Sequence, residues 1–499
     1  MSGADVLLLV LLAVPLAGAL ALLLLPPSLG DRVAVQLGVF VTGITGLLAV
    51  WVVVVEPSLD IEWVPSLGLR LHLGVDGISS PLLLLTAGLT FLCCIYSLRV
   101  RPEAGRPRGL IGLVLLLEVG MLGTFVALDL LLFFVFFEVV LIPMWFLIGQ
   151  WGDSSDPVGR VRAANTFILY TLLGSAVMLL GILLVGIKAG TFDIVALTER
   201  GGAGLSHGVQ VAAFTAMALG LAVKTPMWPL HSWLPDAHTK APTVGSVLLA
   251  GVLLKMGTYG LVRIAVPVVP EGARELAPYL AAFAVVGILY GALACLVQRD
   301  LKRLIAFSSV GHMGFVLLGI ATLTPTGING ALFANVAHGL ITGLLFFLVG
   351  AIKDRHHTAA FDDLGAGLYE RMPRLAGLLA FAAVASLGLP GLAGFWGEML
   401  VLLGAYDPAA GLDRTYYRVL MVLAGVGVVL TTVYFVALVR RVAQGTSSER
   451  WREAVLLRDA TPLELAVWTP IVALVLTLGV WPGLLLDVTD PVVQRVLGA

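Results

Sequence analysis

Seven ionisable side chains stand inside stretches that are otherwise apolar: Glu118, Glu138, Lys224, Lys255, His312, His338 and Glu398. A charge at the centre of a membrane helix costs about 2.5–3.5 kcal/mol on insertion scales. Such residues are therefore expected to face a partner or a water-filled cavity and to serve a function there. The choice of residue type narrows the chemistry. The chain has 24 arginines and six lysines, yet its two deepest basic positions are lysines. Arginine does not release its proton in a protein, whereas a buried lysine can. Desolvation brings a lysine within reach of proton exchange at neutral pH. The pattern points to proton carriage rather than simple charge pairing.

The surroundings of each residue sharpen this reading. Glu138 lies among phenylalanines in FFVFFEVVLIPM, with Pro143 after it. Glu118 precedes Asp129 by 11 residues and Glu138 follows it by nine. At about 1.5 Å per residue, an antiparallel hairpin puts both carboxylates at similar depth. The plainer alternatives are a structural salt bridge for Glu138 and a proton-bearing interhelical hydrogen bond for Glu118. Lys224 opens KTPMWPLHSWLPDAHTKAPT, whose four prolines cannot all be helical. A broken helix in a membrane is tolerated where it lines a cavity or is covered by protein. The plainer reading there is a proline kink with a lysine reaching for the interface. Lys255 sits near the middle of its apolar run with no carboxylate three or four positions away. It needs water or other helices to solvate it. His312 and His338 follow on two later runs. A lone buried histidine is usually a hydrogen-bonded core residue, but two in succession beside buried Lys and Glu favour a relay. Glu398 lies just after Gly388, Pro390, Gly391 and Gly394, a second break.

The elements that must position these residues are membrane helices. Hydrophobic residues make up 59% of the 499 and charged residues 12%, about half the charged share of a soluble domain. The apolar runs are about 20 residues long, enough to cross a hydrocarbon core. They divide into 14 spans: 4–25, 33–55, 78–98, 109–128, 130–150, 164–187, 210–231, 242–266, 277–297, 302–323, 328–352, 374–404, 417–441 and 463–486. The first, with Asp5 before it, is read as a retained helix rather than a cleaved signal. The least distinct division is at Ala127–Asp129. The expected fold is thus an all-α polytopic membrane protein.

Loops after odd-numbered spans and their flanks hold 20 Lys and Arg residues, against eight on the other side. By the positive-inside rule the richer side is cytoplasmic and both termini are outside. The two breaks, in the seventh and twelfth spans, are five spans apart. A five-helix unit repeated in tandem must be inverted. Spans 4–8 and 9–13 therefore read as two inverted repeats. The expected division is residues 1–108 for the first three helices, 109–266 and 267–441 for the repeats, and 442–499 for the last loop and helix.

Cys93, Cys94 and Cys295 all lie in apolar runs, in no disulfide, zinc or iron–sulfur spacing. Packing is the role expected of them. With no GxGxxG between a strand and a helix and no P-loop, no nucleotide or redox site is expected in this chain. The net charge of −1 implies no general attraction to nucleic acid.

The segments FFEVVLIPMWFLIGQWG, KTPMWPLHSWLPDAHTKAPTVGSVLLAGVLLKMGTYGL, QRDLKRLIAFSSVGHMGFVLLG and SLGLPGLAGFWGEMLVLLGA closely resemble the M-type antiporter-like subunits of bacterial NADH–quinone oxidoreductase, respiratory complex I. The resemblance runs from about Gly74 to Leu403. It extends more loosely to L- and N-type subunits, Mrp-type cation/proton antiporter subunits and membrane-bound hydrogenases. Two features favour the M type: a glutamate at Glu398, where L- and N-like chains carry lysine, and no long lateral helix before Ala499. The resemblance implies that Glu138 and Lys224 match the family's ion pair, Lys255 its central lysine and Glu398 its exit-side carboxylate. His312 and His338 would join the last two; Glu118 is carried over less firmly. It also implies a bacterial inner-membrane location and other complex I membrane subunits, L-like, N-like and small, as partners. NADH, FMN, iron–sulfur clusters and quinone would be held in partner subunits, not here. An Mrp-type sodium/proton exchanger or hydrogenase membrane subunit is the alternative.

Overall fold

In a computed structural model, which describes residues 3–24, 30–99, 105–447 and 458–498, the chain is an array of helices with one short β-hairpin. Among the described residues, twelve helices are long and apolar enough to cross a membrane. Two more crossings come from the 17-residue helix Ser80–Tyr96 and from the pair Pro373–Ala385 and Ala393–Tyr406. This makes 14 spans. In order they are Gly3–Leu24, Gly30–Val55, Ser80–Tyr96, Pro107–Val126, Leu130–Trp151, Pro157–Ala189, His207–Lys224 with Trp233–Lys240, Thr243–Val268, Pro270–Leu296, Leu301–Ala321, Pro325–His356, Pro373–Ala385 with Ala393–Tyr406, Arg414–Val442 and Pro462–Val480.

Capping explains several boundaries. The indistinct division at Ala127–Asp129 is made by Asp129, whose carboxylate accepts from the amides of Leu131 and Leu132 to start span 5. Asp300 and Thr324 do the same for spans 10 and 11. Span 14 opens with a capping box between Thr461 and Glu464.

Four features differ from the sequence reading. Span 7 does not end at residue 231 but resumes as Trp233–Lys240, because Pro235 falls in the first turn, where a missing amide costs nothing. Span 8 is not a plain α-helix. It contains two π-helical turns, Leu249–Leu253 and Leu261–Ala265, on either side of Lys255. Span 14 stops at Val480 rather than 486. The Trp481–Pro482 turn starts a separate helix, Gly483–Leu497, held to span 11 by Asn329 Nδ2 donating to Asp490 at 2.6 Å. Finally, the all-helical description needs one addition. Ser58–Val64 and Leu69–Gly74 form an antiparallel hairpin. Its strands alternate apolar and polar residues, Leu59–Asp60–Ile61–Glu62 against Leu71–His72–Leu73, which is strand rather than helix periodicity. Arg70 bonds Asp60 across it at 2.6 Å, and buried His72 meets Asp193 at 2.5 Å. The hairpin packs on span 1 and on the junction of spans 4 and 5, where the amide of Leu128 donates to His72 O at 2.9 Å. Burial alone raises the Asp193 carboxyl, but its bond to His72 and the amide of Ala196 outweigh this and hold it below the usual range.

The packing of spans 6 and 7 parallels that of spans 11 and 12. Span 6 lies along span 7 as span 11 lies along span 12, and each fourth member is broken. Loop contacts sort the ends into the same two faces as the sequence did. Asp153, Lys240 and Lys353 meet on one face, as do Arg355 and Glu464. On the other, Arg263 pairs with Asp76 and His207 with Glu271. Arg101, Arg450 and Arg452 of the charge tally lie outside the described residues. The cysteines are buried and unpaired, packed among apolar neighbours.

Candidate functional site: a buried polar line

In the second half of the line each member lies near the next. Lys255 is fully buried. Its ammonium donates to Ala250 O at 2.5 Å within the π turn and meets His338 Nδ1 at 2.7 Å. The π turn brings a backbone carbonyl to the ammonium, one of the uses to which such interruptions are put at functional sites. His338 lies 5.6 Å from His312, ring centre to ring centre. His312 Nδ1 is 3.5 Å from Glu398 Oε1. A cavity of about 30 Å³ opens among His312, His338, Thr342, Ser386 and Glu398, roomy enough for a water molecule. Spans 8, 11, 10 and 12 thus each contribute one member, in that order.

Close packing holds this geometry. Gly388 takes φ +70°, open to glycine at little cost. A Cβ there would stand 2.5 Å from Glu398 Oε2. Gly397 lies so close to Ala334 that a Cβ would meet the span 11 backbone at 2.7 Å. The break in span 12 therefore lets Gly388 lie against the carboxylate of Glu398, a residue only 9% exposed.

The first half is arranged differently. Lys224 is the last residue of the helix His207–Lys224 and is buried. Its Nζ has no hydrogen-bond partner and lies 4.9 Å from the centre of the Phe137 ring. Glu138 Oε1 is also buried and unpartnered. The expected ion pair is therefore not in contact. The two charges are electrostatic neighbours with the Phe137 ring beside the ammonium, and Ser175 is the polar neighbour of the carboxylate. Glu118 is apart from both. It is fully buried, neither carboxylate oxygen has a partner, and Cys94 is its ionisable neighbour.

Three polar residues were missed in the sequence. Asn335 is buried and its Oδ1 accepts from Thr258 at 3.1 Å, beside Lys255. His238 is fully buried and stacks on Phe346 at 4.5 Å, with neither ring nitrogen hydrogen-bonded. It belongs to the Pro-rich stretch read as a break, so no apolar run marked it. Glu464 is a second buried carboxylate in the later half of the chain. It differs from Glu398 in being held by Arg355 at 2.8 Å.

The sequence profile of the family described as "NADH:quinone oxidoreductase/Mrp antiporter, TM" matches residues 127–434, well over half of the chain. The chain belongs to this family. Within the antiporter family, it is 42% identical over 449 residues to NADH-quinone oxidoreductase subunit M of Rhodobacter capsulatus, covering 88% of this chain and 84% of that one. It is 39% identical over 491 residues to NAD(P)H-quinone oxidoreductase chain 4 1 of a Synechococcus strain, covering 96% and 90%. A chain in the structure of respiratory complex I from Thermus thermophilus superposes with a TM-score of 0.86 at 32% identity, over 99% of both chains. A chain of the Mrp complex from Dietzia has the same fold, with a TM-score of 0.86 at 23% identity over 100% of this chain and 98% of that one. All seven sequence candidates except Glu118 lie on the family-matched spans 5 to 12.

Proposed function

We propose that this chain is a proton-translocating membrane subunit of a NADH–quinone oxidoreductase. In this reading it has no redox centre of its own. NADH, FMN, iron–sulfur clusters and quinone reside in partner subunits, and L-like, N-like and small membrane subunits are its neighbours in a bacterial inner membrane. The observation that carries the reading is the succession Lys255, His338, His312, Glu398, with 2.7 Å between the first two, 5.6 Å between the imidazole centres and 3.5 Å from His312 to Glu398.

In this mechanism Glu138 and Lys224 form the input. The separated arrangement seen here is one state, and a closed ion pair is the other. At an effective dielectric of 20, unit charges about 4 Å apart attract by about 4 kcal/mol relative to infinite separation, which is the ceiling on what closing the pair supplies. Moving one charge against 100 mV requires about 2.3 kcal/mol. Closing the pair stabilises the Lys224 cation. Opening it lowers the proton affinity of Lys224 and pushes charge toward Lys255. His338 and His312 then carry the proton to Glu398 and the outer side. An Mrp-type exchanger would use the same residues, but the 42% identity to a subunit M favours the oxidoreductase assignment.

Glu138→Gln tests the input. The expected result is assembled complex whose NADH-driven proton pumping through this chain falls at least about tenfold, a barrier rise of about 1.4 kcal/mol. Normal pumping would remove Glu138 from the mechanism, and loss of assembly would make it structural.

The sidedness proposed here is that the face holding Asp153, Lys240 and Lys353 is cytoplasmic. Single cysteines placed in 99–108 and 440–459 are expected to resist an impermeant thiol reagent in intact cells, while cysteines at 59–73 react. The opposite labelling pattern reverses the assignment.

A further inference from the structure

We propose that a cleft between spans 3, 11 and 14 seats one acyl chain of a phosphatidylethanolamine from the outer leaflet. The proposal rests on the spans themselves and is independent of the proton-translocating reading. The cleft measures about 270 Å³ and is lined by spans 2, 3, 11 and 14 and by the helix Gly483–Leu497. Of its lining side chains only that of Ser80 is polar, and the Ser80 hydroxyl is taken up by Asp76 O at 2.7 Å. Water in a cavity needs two to four polar partners, and an apolar cavity of about 150 Å³ stays dry and binds benzene instead. By that proportion this cleft has room for about ten carbon atoms.

The cleft opens sideways at the depth of the hydrocarbon. Its rim residues Leu84, Leu474 and Leu484 are exposed, while Leu85, Leu89 and Leu340 on its floor are buried. From Pro81 to Leu92 it follows span 3 for about 16 Å. That is the depth of one leaflet of a core about 30 Å thick. A partner helix does not fit, because with side chains it is about 10–12 Å across and such a length of it exceeds the cleft severalfold. The mouth separates a phospholipid from an uncharged quinone tail. Glu56 follows the lining residue Val53 by three positions, and Asp487 adjoins the lining residue Val488; both carboxyl side chains are exposed. Arg495 lies two turns past Val488, about 10 Å farther along that helix. An acidic mouth disfavours anionic lipids and suits an ammonium headgroup with three N–H donors.

The floor is one side chain thick. A Cβ on Gly251, in the first π turn of span 8, would stand 2.5 Å from Leu89 Cδ1. One on Gly339, next to His338, would stand 2.6 Å from Leu85 Cδ2. An occupant of the cleft therefore backs the two leucines that pack on the helices carrying Lys255 and His338.

The test uses the assembled complex reconstituted in phosphatidylcholine with a trace of phosphatidylethanolamine bearing a diazirine in one acyl chain. After illumination, crosslinked peptides are located by mass spectrometry. Labelling is expected to concentrate on 84–92 and 470–478, severalfold above the stretch of span 13 around Val422, Val426 and Val429, whose side chains are exposed. Gly88→Phe fills the cleft from within, since a Cβ at this lining glycine meets nothing within 4 Å. It is expected to cut cleft labelling severalfold and leave span 13 labelling unchanged. Glu56→Gln combined with Asp487→Asn should remove the advantage of the ethanolamine probe over a phosphatidylglycerol probe with the same chain. Cleft labelling no higher than that of span 13, or unchanged by Gly88→Phe, overturns the seat. No preference for the ethanolamine probe in the unsubstituted chain overturns the headgroup assignment. Protection of the cleft by excess quinone but not by excess phosphatidylethanolamine makes it a quinone-tail site instead. If Gly88→Phe does not assemble, Gly88→Leu carries the same measurement.

Discussion

Lys255→Met is expected to abolish proton movement through this chain, with a loss of about a hundredfold or more, while the complex still assembles. Methionine keeps most of the volume of lysine and removes the ammonium. His338 Nδ1 then loses its 2.7 Å partner and Ala250 O its 2.5 Å donor. A proton arriving from the first half has no group to occupy at the centre of the chain. A barrier raised by about 3 kcal/mol suffices for a hundredfold loss in rate. The decisive comparison is Lys255→Arg. Arginine keeps the positive charge and can still donate to Ala250 O, but it does not give up its proton. If Lys255 were retained only to place a cation between spans 8 and 11, arginine would support near-normal pumping. If it carries protons, Lys255→Arg is as inactive as Lys255→Met. The measurement is NADH-driven acidification by vesicles holding equal amounts of assembled complex. Activity in the arginine variant would reduce Lys255 to an electrostatic anchor.

Much of this arrangement was legible in the chain because the bilayer makes apolar length and buried charge conspicuous. The spans followed from run length, and the breaks in spans 7 and 12 from Pro226, Pro229, Gly388 and Pro390. Six of the seven site candidates then fell on two neighbourhoods that the structure places in the family-matched region. What was not legible depended on rules other than hydropathy. The hairpin carries a period of two over only a few residues, and Arg70, Asp60 and Glu62 remove it from any apolar run. The π turns around Lys255 follow no residue rule that distinguishes them from an α-helix, since Leu, Val and Gly suit both. His238 was hidden because it sits among prolines and polar residues that read as a loop, yet the fold returns that segment to the interior. Contact between Glu138 and Lys224 was inferred from resemblance. Helix depth gives only the level of each charge, whereas in the structure the Phe137 ring lies beside the ammonium and Ser175 is the polar neighbour of the carboxylate.

At the far end of the line, Glu398→Gln is expected to reduce pumping at least about tenfold in assembled complex. Glutamine keeps the shape and can still hydrogen-bond His312, but it cannot take up and release a proton. Glu398→Asp keeps the acid on a shorter arm. The His312 separation is already 3.5 Å, so withdrawing the carboxylate lengthens a marginal step, and partial activity is expected. Gly388→Ala separates position from chemistry. Its Cβ would come within 2.5 Å of Glu398 Oε2 in a backbone conformation at φ +70° that alanine disfavours, so the carboxylate must move while remaining an acid. If Glu398 is the outward carrier, Gly388→Ala should slow pumping as Glu398→Asp does, without the full loss seen for glutamine. Equal and near-normal pumping in all three variants would make Glu398 a packing residue and place the outward route on another face of span 12.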